Sequence, residues 1–386
     1  MGKRRTANPN VNITARDEAI GVAIEALAGD IIKAAEQGDD PRMSIPLRTL
    51  SNVAFNEKKR IIEMGAAAVD RKFFNLGMAK KFMQTVLIAS MAHKELLSSG
   101  KTTSIRDMYY MIKHTIGNSK ENTVDDQSES DPIIEDIEVS LGALREELHL
   151  FASNRGSMVG PMIVEDGGDT INLTRMGTGG WSVPSIVEPD VIKFKECKAK
   201  FILLVEKDAV WRRLNEDKFW QKHKCMLITG QGQPPRGVRR LLYRMHNELK
   251  DPDGKPLPVF VFVDNDPWGY YIYSVIKQGS INLAYESMRM AIPDARFLGL
   301  SAFDLKQYEL GPDVQIKLNK QDIARAKQIM AYEWFQSPQW QRELKKMLSN
   351  GVKLELEALS SKGISFVTEE YLPEKIKAGK GKGWLA

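Results

Sequence analysis

The 386-residue sequence predicts an α+β domain of winged helix-turn-helix (CAP-like) type followed by an α/β domain built on a parallel sheet with helical crossovers. Two observations predict it. Between residues 77 and 177, three segments of helical periodicity run into two strand-like stretches joined by Gly167-Gly168, the element order of a winged helix. After the glycine-rich GTGGWSVPSI, apolar runs alternate with amphipathic helical segments in a βαβαβ series, which implies parallel strands. The expected domains are a helical N-terminal extension at 1–70, the winged-helix domain at 71–185 and the α/β domain at 186–386. A chain of this length suits two or three domains of roughly 100–200 residues each.

In order along the chain, DEAIGVAIEALAGDIIKAAEQ (17–37) repeats apolar positions at helical spacing. GMAKKFMQTVLIASMAHKELLSSG (77–100) is an amphipathic helix closed by Gly100, and SIRDMYYMIKHT (104–115) is a second, with Ser104 as N-cap and Asp107 at its third position. An acidic loop, ENTVDDQSESDP, precedes a third helix at 133–150, and SMVGPMIVED and DTINLTRMG are the paired strands. KFILLVE, KCMLITG and PVFVFVDND then read as strands, with KDAVWRRLNED, RGVRRLLYRMHNEL and GYYIYSVIKQGS as helices between and after them. A final helical segment, QDIARAKQIMAYEWFQSPQWQRELKKMLSNG, ends the fold, and the Lys/Gly-rich tail is expected to be flexible.

Composition narrows the function classes. No apolar run approaches the roughly 18 residues of a membrane span, and the start MGKRRTANPNVNITARDE is basic and polar, so neither a membrane segment nor a signal peptide is expected. Cys197 and Cys225 are too few for a disulfide framework, and the five histidines lack metal-ligand spacing, so any metal is expected on oxygen. The net charge of +5 permits nucleic-acid binding without requiring it, with basic residues gathered in KKFMQ, RGVRRLLYR and the tail.

The chemistry-bearing residues sit at the ends of strands. Asp264 and Asp266 follow an apolar run, two apart, so both side chains can reach one small volume at the carboxyl edge of a parallel sheet. Glu206 ends another strand of the series. Three such acids suit a hard divalent ion, Mg²⁺ with water and substrate phosphate completing its shell. SSGKTTS (98–104) contains Gly-Lys-Thr, but Glu95 stands where a phosphate loop needs glycine and a helix precedes it instead of a strand, so no ATP site is expected there.

VEKDAV, TGQGQPPRGVRR and DNDPWGYYIY together resemble the Toprim domain of the catalytic A-type chain of archaeal type IIB topoisomerases, relatives of the protein that makes meiotic double-strand breaks. SIRDMYY is similar to that family's Arg-Asp-x-Tyr/Phe-Tyr motif, and SVIKQGSINLAYES and IPDARFLGLSAFDL resemble its carboxy-terminal half. Many relatives carry lysine where this chain has Gln231. The resemblance implies that Tyr110 attacks a DNA phosphodiester and becomes linked to the 5′ phosphate, that Arg106, one turn earlier on the same face, offsets developing charge, and that Glu206, Asp264 and Asp266 bind Mg²⁺. Tyr109, about 100° away, is read as packing or a DNA backbone contact, and His114 as a packed or solvated residue with general base as its sharper alternative. The implied assembly is a homodimer on double-stranded DNA, joined by a GHKL-class ATPase B subunit in an A2B2 heterotetramer, cytoplasmic and nucleoid-associated. The rival readings are a break-forming protein of the meiotic type without strand passage, and a winged-helix regulator with an inactive Toprim fold.

Overall fold

The computed structural model describes residues 13–251 and 253–386, so the basic opening stretch lies outside the described residues. The chain forms two compact units, one from residues up to Asn52 with Met64–Ser153, the other from Val53–Glu63 with Asn154–Ala386.

In the first unit, helix α1 (Ala15–Glu36) opens on a reciprocal cap: the Asp17 amide donates to Thr14 Oγ1 at 3.1 Å and the Thr14 amide to Asp17 Oδ2 at 2.8 Å. Helix α2 (Leu76–Met91) runs on through irregular turns to Gly100, which ends it at φ 62°. Helix α3 (Ile105–Ile112) is capped by Ser104, whose hydroxyl accepts the Asp107 amide at 3.0 Å. Helix α4 spans Gln127–Leu141, earlier than the expected 133–150, because Asp126 caps it at the Ser128 amide and Gly142 in the left-handed region stops it. The acids Glu129 and Asp131 that read as a loop sit in its first turns, where the helix dipole favours negative charge. Ile20, Ile88, Met108, Ile112, Ile134, Ile137 and Leu148 form the core between these helices. The N-terminal region expected to be helical also holds a strand pair, Arg42–Pro46 antiparallel to Ala68–Lys72. Its apolar alternation is confined to Met43 and Ile45, too short a signal to read in advance.

The second unit contains strands β1 (Ser157–Val159), β2 (Met162–Asp166), β3 (Asp169–Asn172), β4 (Trp181–Ser182), β5 (Ile192–Cys197), β6 (Phe201–Val205), β7 (Cys225–Thr229), β8 (Val259–Phe262) and β9 (Arg296–Gly299). A six-stranded sheet has the order β4-β1-β7-β6-β8-β9, and β7, β6, β8 and β9 are parallel. The expected hairpin is present as β2–β3, turning at Gly167 and Gly168 with φ of 56° and 96°, but it pairs with β5 in a separate three-stranded sheet of this unit. Every residue of β6, β7 and β8 is buried, which is why these strands read as continuous apolar runs. The crossovers are α5 (Asp208–Glu216) with the short α6 (Phe219–His223), then α7 (Arg236–Glu248); α8 (Pro267–Gln278) follows β8.

The last helical segment is two helices, Lys320–Met330 and Pro338–Asn350, because Ser337 caps a new start with Pro338 at its first position. It does not end the fold: further turns and the helix Leu372–Ala378 follow. The tail expected to be flexible is held at the sheet edge, where Phe297 and Leu385 exchange two 2.9 Å backbone hydrogen bonds and the Arg296 guanidinium stacks 4.5 Å from the Trp384 ring centroid. No helix among the described residues is long and apolar enough to cross a membrane.

Candidate active-site residues

Parallel strands carry their chain ends to one edge of the sheet, and Glu206, directly after β6, lies beside the chain leaving β8. Glu206 Oε2 accepts the Asp264 amide at 3.0 Å, while Oε1 takes no hydrogen bond among the described residues. The two acids meet as expected. Asp264 Oδ1 accepts the Leu356 amide at 2.8 Å and Oδ2 lies 3.2 Å from Lys207 Nζ. Asp266 caps α8 instead of pointing freely outward, accepting the Gly269 amide at 2.7 Å. It is near enough to both partners to raise their proton affinity.

Burial, and then the neighbouring Asp264 charge, push the Glu206 carboxyl up to about 7. Burial raises Asp264 to about 6 against the pull of the Leu356 amide and Lys207, and burial raises Asp266 as well. The cluster holds more negative charge than its surroundings balance. Among the described residues no three carboxylate, histidine or cysteine side chains close into a metal cage by themselves. The donor set nevertheless suits a hard cation that keeps several waters, since it offers only oxygens and at least one of them is unengaged.

Sequence reasoning missed Lys207, Glu355 and Glu357. Residues 352–357 arrive at the site because Asn265 and Leu354 exchange backbone hydrogen bonds of 2.9 and 3.1 Å, and LELE then places both glutamates two residues apart. Lys207 Nζ is 3.8 Å from Glu355 Oε2 and 4.0 Å from Glu357 Oε2. The only advance signal was that alternation, far along the chain from Asp264. The glycine turn beyond β7 is tied to the same edge: the Gly232 amide donates to the Glu206 carbonyl at 2.8 Å, and Arg155 donates to the Gln231 carbonyl at 2.6 Å.

In the first unit, α3 divides the tyrosine pair. Tyr109 is 8% exposed and Tyr110 is 58% exposed. The Tyr109 hydroxyl donates to the Asp125 carbonyl at 2.9 Å and accepts from Lys113 Nζ at 2.6 Å. Its ring packs edge-to-face on Tyr110 with centroids 4.9 Å apart, which orients the outer ring. The Tyr110 hydroxyl has no hydrogen bond among the described residues, and exposed Arg106, one turn earlier, has no ion pair there. His114 leaves this face, because α3 ends at Ile112 and Lys113 turns to φ −78°, ψ 111°.

Comparison with known proteins decides the family. The chain is 45% identical over 367 residues to the A-type subunit of type 2 DNA topoisomerase 6 from Pyrococcus horikoshii, covering 92% of this chain and 94% of that protein. The chain belongs to the family of topoisomerase VI A-type subunits. A more distant member, from Methanocaldococcus jannaschii, is 37% identical over 88% of this chain and 90% of its own length, and the corresponding DNA topoisomerase 6 chain of Arabidopsis thaliana is 32% identical over 95% and 82%. The family models matched are the Toprim domain shared by the topoisomerase 6 A-type chain and Spo11, at residues 201–376, type IIB DNA topoisomerase at 80–150, and the all-beta domain of the topoisomerase VI alpha subunit at 154–198. The Toprim match begins at β6 and contains Glu206, Asp264 and Asp266, and the 80–150 match contains α3.

Proposed function

We propose that this chain is the DNA-cleaving subunit of a type IIB topoisomerase, with Tyr110 as nucleophile, Arg106 as its charge partner and Glu206, Asp264 and Asp266 as the residues that would hold Mg²⁺. The observation that carries this reading is the exposed, unengaged Tyr110 hydroxyl on a helix whose neighbouring tyrosine is buried and bonded. The Tyr110 oxygen forms a bond to a DNA phosphorus, the bond from phosphorus to the 3′ oxygen breaks, the phenolic proton passes to solvent, and the departing 3′ oxygen takes a proton. A phenol of ordinary pKa near 10 is a weak nucleophile at neutral pH, and the Arg106 guanidinium favours the charged forms along this path. When bound, Mg²⁺ supplies Lewis-acid stabilisation of phosphate charge. Because a phosphotyrosyl ester is a fair leaving group, the step runs back to reseal the strand.

The order α2, α3, α4 supports a CAP-like helix-turn-helix reading of the first unit, which would present α3 to double-stranded DNA. The family supports a homodimer with a GHKL-class ATPase B subunit in an A2B2 assembly, acting at the nucleoid in the cytoplasm. Denaturing electrophoresis of the protein with end-labelled DNA, Mg²⁺ and the ATPase partner tests the reading. Label is expected to stay with the polypeptide and to vanish with Tyr110→Phe; a covalent complex that survives that substitution overturns the assignment.

A further inference from the structure

The ammonium of Lys207 occupies an uncommon position: it lies on Asp264, a proposed metal carboxylate, and also faces Glu355 and Glu357, which come from a distant part of the chain. Its distances are 3.2 Å to Asp264 Oδ2, 3.8 Å to Glu355 Oε2 and 4.0 Å to Glu357 Oε2. Asp264 Oδ1 accepts the Leu356 amide, so Oδ2 is the less engaged oxygen of Asp264 for a cation, and Lys207 lies on it. The lysine side chain is 29% exposed and the two glutamates 51% and 43%, so the outer pair is solvated and the Asp264 contact is the deeper one. Lysine is a compact point charge on a flexible stem, able to exchange one carboxylate for another without disturbing the backbone.

We propose that Lys207 is a resident counter-cation of the carboxylate cluster, displaced from Asp264 by the divalent ion and received by Glu355 and Glu357. Before metal arrives, Lys207 limits the repulsion among Glu206, Asp264 and Asp266. On metal binding, its charge moves outward by one carboxylate, so the site avoids holding two cations on one oxygen. Lys207 therefore sets metal affinity through Asp264 and is a positioning residue. The inference rests on the metal reading of the previous section, and the test separates the two.

The probe is Mn²⁺ alone, titrated into the full chain without DNA and followed by the electron paramagnetic resonance of free Mn²⁺. Wild-type protein is expected to bind Mn²⁺, and Lys207→Met to bind it about 5- to 10-fold more tightly, as expected when about 1 kcal/mol of competition is removed. Lys207→Arg is expected to stay within about 2-fold. A general charge effect is controlled by Lys193→Met, which removes a cation paired with Glu165 at 2.7 Å and away from the cluster; it is expected to change affinity less than about 2-fold. In the Glu355→Gln/Glu357→Gln background, where the displaced ammonium has no receiving carboxylate, Lys207→Met is expected to tighten binding by a larger factor than in wild type. Thermal melting without metal is expected to be lower for Lys207→Met, with Mn²⁺ restoring it. Unchanged or weaker Mn²⁺ binding by Lys207→Met overturns the proposal, as does an equal gain from Lys193→Met. If Glu206→Gln and Asp264→Asn bind Mn²⁺ as wild type does, the metal reading itself fails, whatever Lys207 does.

Discussion

Two groups of buried acids in the second unit are built in opposite ways. Glu343 is 2% exposed and accepts from the Tyr270 hydroxyl and the Ala302 amide on one oxygen and the Ser301 hydroxyl on the other. Asp304, fully buried, accepts from Tyr371 and Lys375 and from the Ser301 amide. Every oxygen there has a protein partner. Glu206, by contrast, has one bonded oxygen and one unengaged among the described residues; burial raises the proton affinity of Glu206 and Glu343 alike, so the unengaged oxygen is what separates them. The same contrast recurs on α3, where Tyr109 is bonded twice and the Tyr110 hydroxyl not at all among the described residues. Groups that complete their bonding internally hold the fold together, whereas groups left incomplete keep their capacity for a ligand or a reaction.

The sharpest way to break this contrast is at the tyrosines. Tyr110→Phe removes an oxygen with no internal partner, so DNA cleavage is expected to fall below detection while DNA binding and melting temperature stay unchanged. Tyr109→Phe removes a bonded oxygen, so it is expected to cost about 1 kcal/mol of stability and to retain cleavage. Equal stability losses from the two variants, measured by urea denaturation, would erase the distinction.

Among the acids, Glu206→Gln and Asp264→Asn are expected to lower cleavage by about 100-fold or more and to leave stability unchanged or raised, since burial raises the proton affinity of both carboxyls even though Lys207 partly offsets Asp264. Glu343→Ala is expected to destabilise by roughly 3–5 kcal/mol, because it strands the Tyr270 and Ser301 hydroxyls and the Ala302 amide in the interior. Cleavage by the folded fraction of that variant should match wild type. A Glu206→Gln protein as destabilised as Glu343→Ala would show that its acid is structural.

The last contrast concerns a buried cation. Among the described residues Lys277 Nζ donates to the carbonyls of Pro293, at 2.6 Å, and Ala295, at 3.1 Å, with no carboxylate on it, and burial followed by the nearby Arg60 charge lowers it to about 8. In the unfolded chain lysine titrates near 10.4, so between those values the unfolded state binds more protons and stability rises with pH. Urea denaturation from pH 7.5 to 10 is expected to show this rise in wild type and a flatter profile in Lys277→Met. Parallel profiles would mean that Lys277 titrates as a solvated lysine.

The sequence by itself was enough for the α/β series, because β6, β7 and β8 are buried on both faces and their apolar runs are unbroken. It was enough for α3, whose Ser104 cap and apolar positions are local. The meeting of Glu206 with Asp264 was also legible, since parallel strands deliver their carboxyl ends to one edge whatever lies between them. Two local caps escaped the reading, and two further features were decided only by tertiary structure. Asp266 spends an oxygen on the Gly269 amide because a helix begins there, and α4 starts early because Asp126 can cap it. The Lys/Gly-rich tail, polar enough to read as flexible, is held because the edge strand β9 offers unpaired backbone groups that Leu385 satisfies. Lys207, Glu355 and Glu357 join the site through the pairing of Asn265 with Leu354, a contact between segments nearly ninety residues apart. Local propensity and periodicity act over a few residues and are written in the chain, whereas which solvated charge faces which buried one depends on how distant segments pair, and short sequence patterns do not encode that.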